Sequence, residues 1–434
     1  MNKLVGFIEK YLLPLATKVG DNKLLRSISN AFMSLMPIII AGAIFTLLAN
    51  LNIEFYQNFI TSIGLKQIFS FVPNVTSNML AIYAAFFVAY EFCKQLKLTR
   101  FSLIAGATSL VMFLLMIPLG ITATEGEISI TVAAALSTSW LGAGGLFSAM
   151  IIGLIVPGIF YFFDAKHIEI KMPDGVPPMI SNSFSAILPV LLIAFMFAIA
   201  RYLFTLTSYG DLNTMIYTIL RMPLAKLGGS PFTWVVLTLM CCFMWFFGIQ
   251  GGMVINPFLV MLYQAATLEN LAAYAAGNPL PNKIIMSCWL GYTSVGGAGG
   301  TLGLCILMFF MAKSQRYKTL GKIALPAGCC GINEPIIFGA PVVLNPILLI
   351  PFLLTPVLTF ALSYLLTNLN ILPILYGTDI AMGTPVILSG LLAGGQRVAI
   401  WQVGIILIQM CIYFPFFKVL DKQAQKEESM AIEE

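Results

Sequence analysis

The sequence predicts an all-α polytopic membrane protein of about ten transmembrane helices, with re-entrant hairpins in its C-terminal region. Three observations predict it. Hydrophobic residues make up 59% of the 434 and charged residues only 9%, against about 25% charged in a soluble globular domain. The apolar residues form long unbroken runs, such as AFMSLMPIIIAGAIFTLLA from Ala31, not the short alternating segments of a membrane β-barrel. Glycine and proline then gather at three places in the second half that no continuous helix tolerates.

Residues 1–26 are amphipathic and basic, with Lys3, Lys10, Lys18, Lys23 and Arg26. They read as an interfacial helix and not as a cleavable signal. Spans are expected at 27–50, 77–94, 101–122, 136–163, 183–208, 232–250, 302–314, 343–367 and 397–418. Residues 211–230, with Asp211, Arg221 and Lys226, fit a tilted span or an interfacial helix, and 254–275 is apolar but interrupted. The connection 50–78 holds one lysine, Lys66, whereas Lys94, Lys97 and Arg100 follow the second span, and TATEGEIS after the third has only acids. This alternation puts the N-terminus in the cytoplasm. The tail, with Lys418, Lys422 and Lys426, reads as cytoplasmic too, so the number of crossings is even. A connection at 164–184, DAKHIEIKMPDGVPPMISNSF, alternates like a short strand and then turns at Asp174-Gly175 and Pro177-Pro178. The organisation expected is an N-terminal segment 1–26, a scaffold region 27–210, a working region 211–418 and a solvated tail 419–434.

The eight cysteines contain no C-x-x-C pair, and His167 is the one histidine. No disulfide framework, metal site or cofactor is expected, and no nucleic-acid partner. Cys241–Cys242 and Cys329–Cys330 read as small hydrophobes in apolar segments.

The three broken places are MWFFGIQGGMVINP (244–257), WLGYTSVGGAGGTLG (289–303) and GCCGINEPIIFGAPVVLNP (328–346). Irregular backbone survives at membrane depth only when buried in protein or lining a wet cavity. Gly296 to Gly300 alone fit close helix packing equally well; with NEP nearby, a polar cavity is favoured. From 323 to 396 the only acids are Glu334 and Asp379, and there is no lysine or arginine. A lone carboxylate there is protonated, or faces water or a ligand. Glu334 beside Asn333 suits a sugar, whose hydroxyls both donate and accept, and Trp245 and Trp289 offer flat faces for its C–H side. Three other readings stay open: a structural hydrogen bond or helix cap at Glu334, a proton-coupling carboxylate there, and an interfacial belt position for Trp289.

Four stretches in order, MPDGVPPMISNSF (172–184), GIQGG (248–252), TSVGGAGGTLG (293–303) and GINEPIIFGAPVVLNP (331–346), resemble the membrane component, enzyme IIC, of the bacterial phosphotransferase system, in its lactose/cellobiose/diacetylchitobiose family. The resemblance spans nearly the whole chain. It implies a multi-pass permease of the bacterial inner membrane, homodimeric through its first region, that moves a β-linked disaccharide. A separate enzyme IIB, charged through IIA, then phosphorylates the sugar. Glu334 matches the family glutamate that contacts the accepting hydroxyl and is proposed as general base, and Asn333, Gln250, Trp245, Gly296, Gly297 and Trp289 are the candidate substrate-binding residues. The family often has histidine where this chain has Gln250, which binds hydroxyls but does not titrate. Either Glu334 alone does the acid–base work, or the histidine only binds, or the sugar preference or transport strength differs. A proton-coupled secondary transporter using Glu334 is the alternative. A sugar sensor and a stand-alone membrane enzyme fit less well, and no Walker-type loop is present.

Overall fold

The computed structural model describes residues 22–50, 54–125, 128–173, 175–248, 250–340, 342–343 and 345–433. The interfacial helix expected at the N-terminus falls largely on 1–21, outside the described residues. In lipid every backbone N–H and C=O needs a partner, and a helix supplies it within one segment. Seven described helices are long and apolar enough to cross a membrane. Two bent pairs, Leu212–Gly228 with Pro231–Phe246 at 75° and Trp289–Gly300 with Leu302–Met311 at 57°, raise the number to nine. The architecture is the helical membrane fold expected, with broken helices in the second half.

The chain divides into two compact units, Val19–Lys226 with Val260–Leu268, and Leu227–Leu259 with Glu269–Glu434. The first contains α1 (Lys23–Asn50), α2 (Glu54–Ser62), α3 (Leu65–Val75), α4 (Leu80–Gln95) and α5 (Ser102–Met116). It continues with a hairpin of β1 (Leu119–Glu125) and β2 (Ile128–Leu136), then α6 (Leu146–Ala165), α7 (Pro178–Ser185) and α8 (Ile187–Thr205). Helix α4 packs on α1, α5 and α6. Its buried face is Leu80, Ala81, Ala84, Ala85, Val88 and Ala89, small enough to let neighbouring backbones approach. At Gly153 of α6 an added Cβ would lie 2.9 Å from Val88 Cβ.

Three expectations change here. Helix α5 ends at Met116, not 122, and the helix expected from 136 begins at Leu146, because β1 and β2 pair antiparallel between them, with Ile121 opposite Val132. Their Ile, Thr and Val content favours a strand. Residues 166–173 form no strand, and among the described residues no second strand pairs with them. Arg100 ties the start of that connection down instead, through Asp164 at 2.6 Å and Glu169 at 3.0 Å. At the end of α5, Arg201 of α8 donates to the Leu115 carbonyl at 2.5 Å and Asn213 to that of Met116 at 3.2 Å. Carbonyls left over at a helix end are thereby met, and an arginine inside a span finds its partner.

The second unit contains α9 (Pro231–Phe246), most of α10 (Gly251–Ala275), α11 (Leu302–Met311), α12 (Gln315–Cys329), α13 (Glu334–Gly339), α14 (Pro346–Asn368), α15 (Leu388–Gly394) and α16 (Gln396–Glu433). Residues 369–387 form neither helix nor strand. Helix α12 runs back along α11: an added Cβ at Gly321 would meet Phe309 N at 2.6 Å, and one at Gly328 would meet Cys305 Sγ at 3.2 Å. Cys241 and Cys242 are buried, whereas Cys329 is exposed. Trp401 of α16 donates to Ser363 Oγ of α14 at 2.7 Å.

Helix α16 has 38 residues, which at about 1.5 Å each outruns a hydrocarbon core of about 30 Å. The segment expected as a solvated tail is its last turns, and they carry a clamp. Asp421, buried, accepts from Lys313 N at 3.0 Å, Ser314 N at 3.0 Å and Ser314 Oγ at 2.7 Å. Glu428 accepts from Gln315 N at 3.1 Å and Arg316 N at 2.8 Å. Two carboxylates thus meet the unpaired N–H groups at the start of α12, where the helix dipole favours negative charge.

Candidate substrate site

GINEP is a helix stop followed at once by a helix start. Gly331 has φ 73 and ends α12: its N–H bonds to Gly328 O and that of Ile332 to Ala327 O, both at 3.0 Å. That pair of bonds with a left-handed glycine is the Schellman stop. Asn333 then caps α13, and its carbonyl accepts from Ile336 N and Ile337 N at 3.0 and 2.9 Å. Pro335 sits in the first turn, where a missing N–H costs nothing. Glu334 opens α13, where the positive end of the helix favours a carboxylate. It is half-buried, and among the described residues no side chain or backbone group is bonded to its carboxylate.

The Asn333 side chain does not cap its own helix. Buried, it reaches across to the glycine run and donates from Nδ2 to Ala298 O at 2.6 Å. Gly296, Gly297, Gly299 and Gly300 all have positive φ, between 63 and 96, backbone that residues with a Cβ rarely adopt. At Gly297 a Cβ would also fall 2.5 Å from Asn333 Cγ, and at Gly296 2.1 Å from Leu302 Cβ. Glycine is thus required there by conformation and by space. Asn333, Gly296 and Gly297 are brought together, with Glu334 adjoining. Val386 N bonds to Cys329 O at 2.8 Å, which adds the irregular 369–387 segment to the same turn.

The other predicted residues lie around this centre differently. Gln250 is exposed at the N-cap of α10, with Gly248 at φ 77 two residues before it. Gly248-x-Gln250 and Gly331-x-Asn333 therefore share one local device, a left-handed glycine followed by an amide at the start of a new helix. Among the described residues Gln250 makes no bond to Glu334. Trp245 is buried in α9. Trp289 is half-buried, and its ring lies 6.0 Å from that of Trp234, tilted 59°. Trp234 is fully buried and donates to Thr293 Oγ1 at 2.8 Å.

The residues that sequence reasoning missed are on α16. Gln409 donates to Val295 O at 2.8 Å and accepts from Gly303 N at 3.1 Å, and Tyr413 donates to Gly299 O at 2.8 Å. Two turns earlier, Gln402 donates to Leu290 O and Gly291 O at 3.1 Å and accepts from Ile387 N at 2.7 Å and Gly390 N at 3.0 Å. Ile387 has φ 75, a strained conformation for a β-branched residue that persists only where its surroundings hold it. The signal was available: polar residues at i, i+7 and i+11 in an apolar helix mark one face that has work to do.

A half-exposed carboxylate with no bonded partner among the described residues, at the start of a helix, can accept hydrogen bonds from a hydroxylated ligand and polarise one O–H. Among the described residues no three His, Cys, Asp or Glu side chains gather as metal ligands.

The family model of phosphotransferase system EIIC matches residues 29–356. The lichenan permease IIC component of Bacillus subtilis is 32% identical over 99% of this chain and 96% of its own length. The cellobiose-specific EIIC component of Geobacillus stearothermophilus is 32% identical, with the same coverage. The crystal structure of ChbC, the IIC component from the N,N′-diacetylchitobiose-specific phosphotransferase system, superposes with a TM-score of 0.93 at 32% identity, over 98% of this chain and 99% of that one.

Proposed function

Because the chain belongs to the phosphotransferase system EIIC family and is a multi-pass sugar permease working with an EIIB partner, we propose that Glu334 is the group at which its sugar is held and activated. The cargo is a β-linked disaccharide. Cellobiose and N,N′-diacetylchitobiose, for which two of the relatives are named, are both of that class. The observation that carries the reading is the Glu334 carboxylate itself, half-exposed and without a partner among the described residues in a strongly apolar stretch. It accepts the proton of the sugar hydroxyl as phosphorylated EIIB delivers the phosphoryl group, and Gln250 contributes hydrogen bonds without titrating. Trp245 and Trp289 support the apolar face of the ring. The permease works as a homodimer with both termini in the cytoplasm, and a separate IIA charges EIIB.

The test is uptake of labelled cellobiose, diacetylchitobiose or lactose in turn into right-side-out membrane vesicles containing the full chain and loaded with phosphoenolpyruvate and the soluble phosphotransferase proteins. Sugar phosphate formed only in the complete mixture is expected. Unmodified sugar accumulating on a proton gradient alone would overturn the reading and make Glu334 a proton carrier.

A further inference from the structure

Glu334 is tied to the far end of the sequence by a short chain of buried contacts. Its neighbour Asn333 holds Ala298 O, while Val295 O and Gly299 O on either side are held by Gln409 and Tyr413 of α16. Gln409 and Tyr413 are themselves fully buried. Three carbonyls within five residues are therefore each fixed by a side chain from elsewhere. The loop needs this, because four left-handed glycines give it little conformational preference of its own. Its position is set by the donors that grip it. The contact between Gly297 and Asn333 then passes that position on, since the glycine packs so closely on the Asn333 side chain that a methyl group would not fit between them.

We infer that Gln409 and Tyr413 are positioning residues for Glu334, acting through the glycine loop and Asn333 to set where the carboxylate meets the accepting hydroxyl. The inference rests on the phosphoryl-transfer role proposed for Glu334. Both residues are fully buried, and each donates to a carbonyl of the loop. Losing either grip lets the loop, and with it Glu334, drift from its working position while the sugar contacts made elsewhere persist. The signature is a fall in turnover with little change in sugar affinity. A purely structural role would instead reduce the amount of folded protein and leave turnover per folded molecule intact.

The experiment uses full-length wild type, Tyr413→Phe, Gln409→Met, Asn333→Ala and the Tyr413→Phe/Asn333→Ala double variant. Each is quantified as folded protein by size-exclusion chromatography in detergent. Phosphorylation of labelled cellobiose is then measured at saturating sugar with the soluble phosphotransferase proteins, and cellobiose affinity is measured separately by calorimetry. Tyr413→Phe removes one hydroxyl without changing shape, so it keeps the test informative if Gln409→Met folds poorly. In Tyr413→Phe and Gln409→Met turnover per folded molecule should fall about ten- to a hundred-fold, the range expected when a reacting group is misplaced by about an ångström, with Kd changed less than about threefold. The double variant should lose less than the product of the single losses, because both act through one path. Unchanged turnover in Tyr413→Phe, a parallel loss of affinity, or losses that multiply would each overturn the inference while leaving the assigned function standing. A wild type that phosphorylates none of the sugars would overturn both.

Discussion

Gly251 and Gly252 are neighbours at the start of α10, yet a methyl group added to the first would meet Cys241 O at 2.1 Å and to the second nothing within 4 Å. Gly252→Ala should leave expression and transport near wild type, and Gly251→Ala should fail to yield a stable protein, compared by fluorescence-detected size exclusion. At Glu334, Gln keeps the shape and removes the charge. Cellobiose affinity should stay within about threefold, and phosphorylation should fall at least about a hundredfold, as for loss of a general base; normal phosphorylation by Glu334→Gln would remove the carboxylate from the mechanism. Glu334, Gly296 and Gly297 stood out in the sequence because a charge or a glycine cluster in apolar surroundings has few explanations. The contact that commits the Asn333 amide nitrogen to Ala298, 35 residues away, did not. Side-chain direction across a loop is fixed by packing that one sequence does not encode locally.

At the scale of elements, apolar runs located the helices, and their ends were the weakest part. Helix α5 stops six residues short of the expectation, at Met116 and not 122, because β-branched residues after it pair as a hairpin. The lysine-rich C-terminal stretch read as a solvated tail because its polarity is evident while its partner, the start of α12, is over a hundred residues away. That clamp makes its own prediction. Asp421→Ala leaves Lys313 N and the buried Ser314 N and Oγ without their acceptor, and a buried donor left unpaired costs about 1–3 kcal/mol. The thermal midpoint of the detergent-solubilised protein should drop measurably, and Lys422→Ala on the exposed side of the same helix should not move it.

Over the whole molecule, composition decided the class and the four ordered motifs decided the family, while the division into two units follows from contacts that hydropathy does not report. Residues 260–268 belong with the first unit, and no local feature of the sequence announces that. If both termini are cytoplasmic, reporter fusions at the two ends should both be active on the cytoplasmic side; opposite signals would require an odd number of crossings.

The grip of α16 on the glycine loop also sets a timetable. Chains emerge from the ribosome N-terminus first, at about 5–20 residues per second. Gln409 and Tyr413 come more than a hundred residues after the loop they hold. A nascent chain with every earlier span already inserted still lacks the donors for Val295 and Gly299. The glycine loop therefore stays without these two grips until α16 has been made.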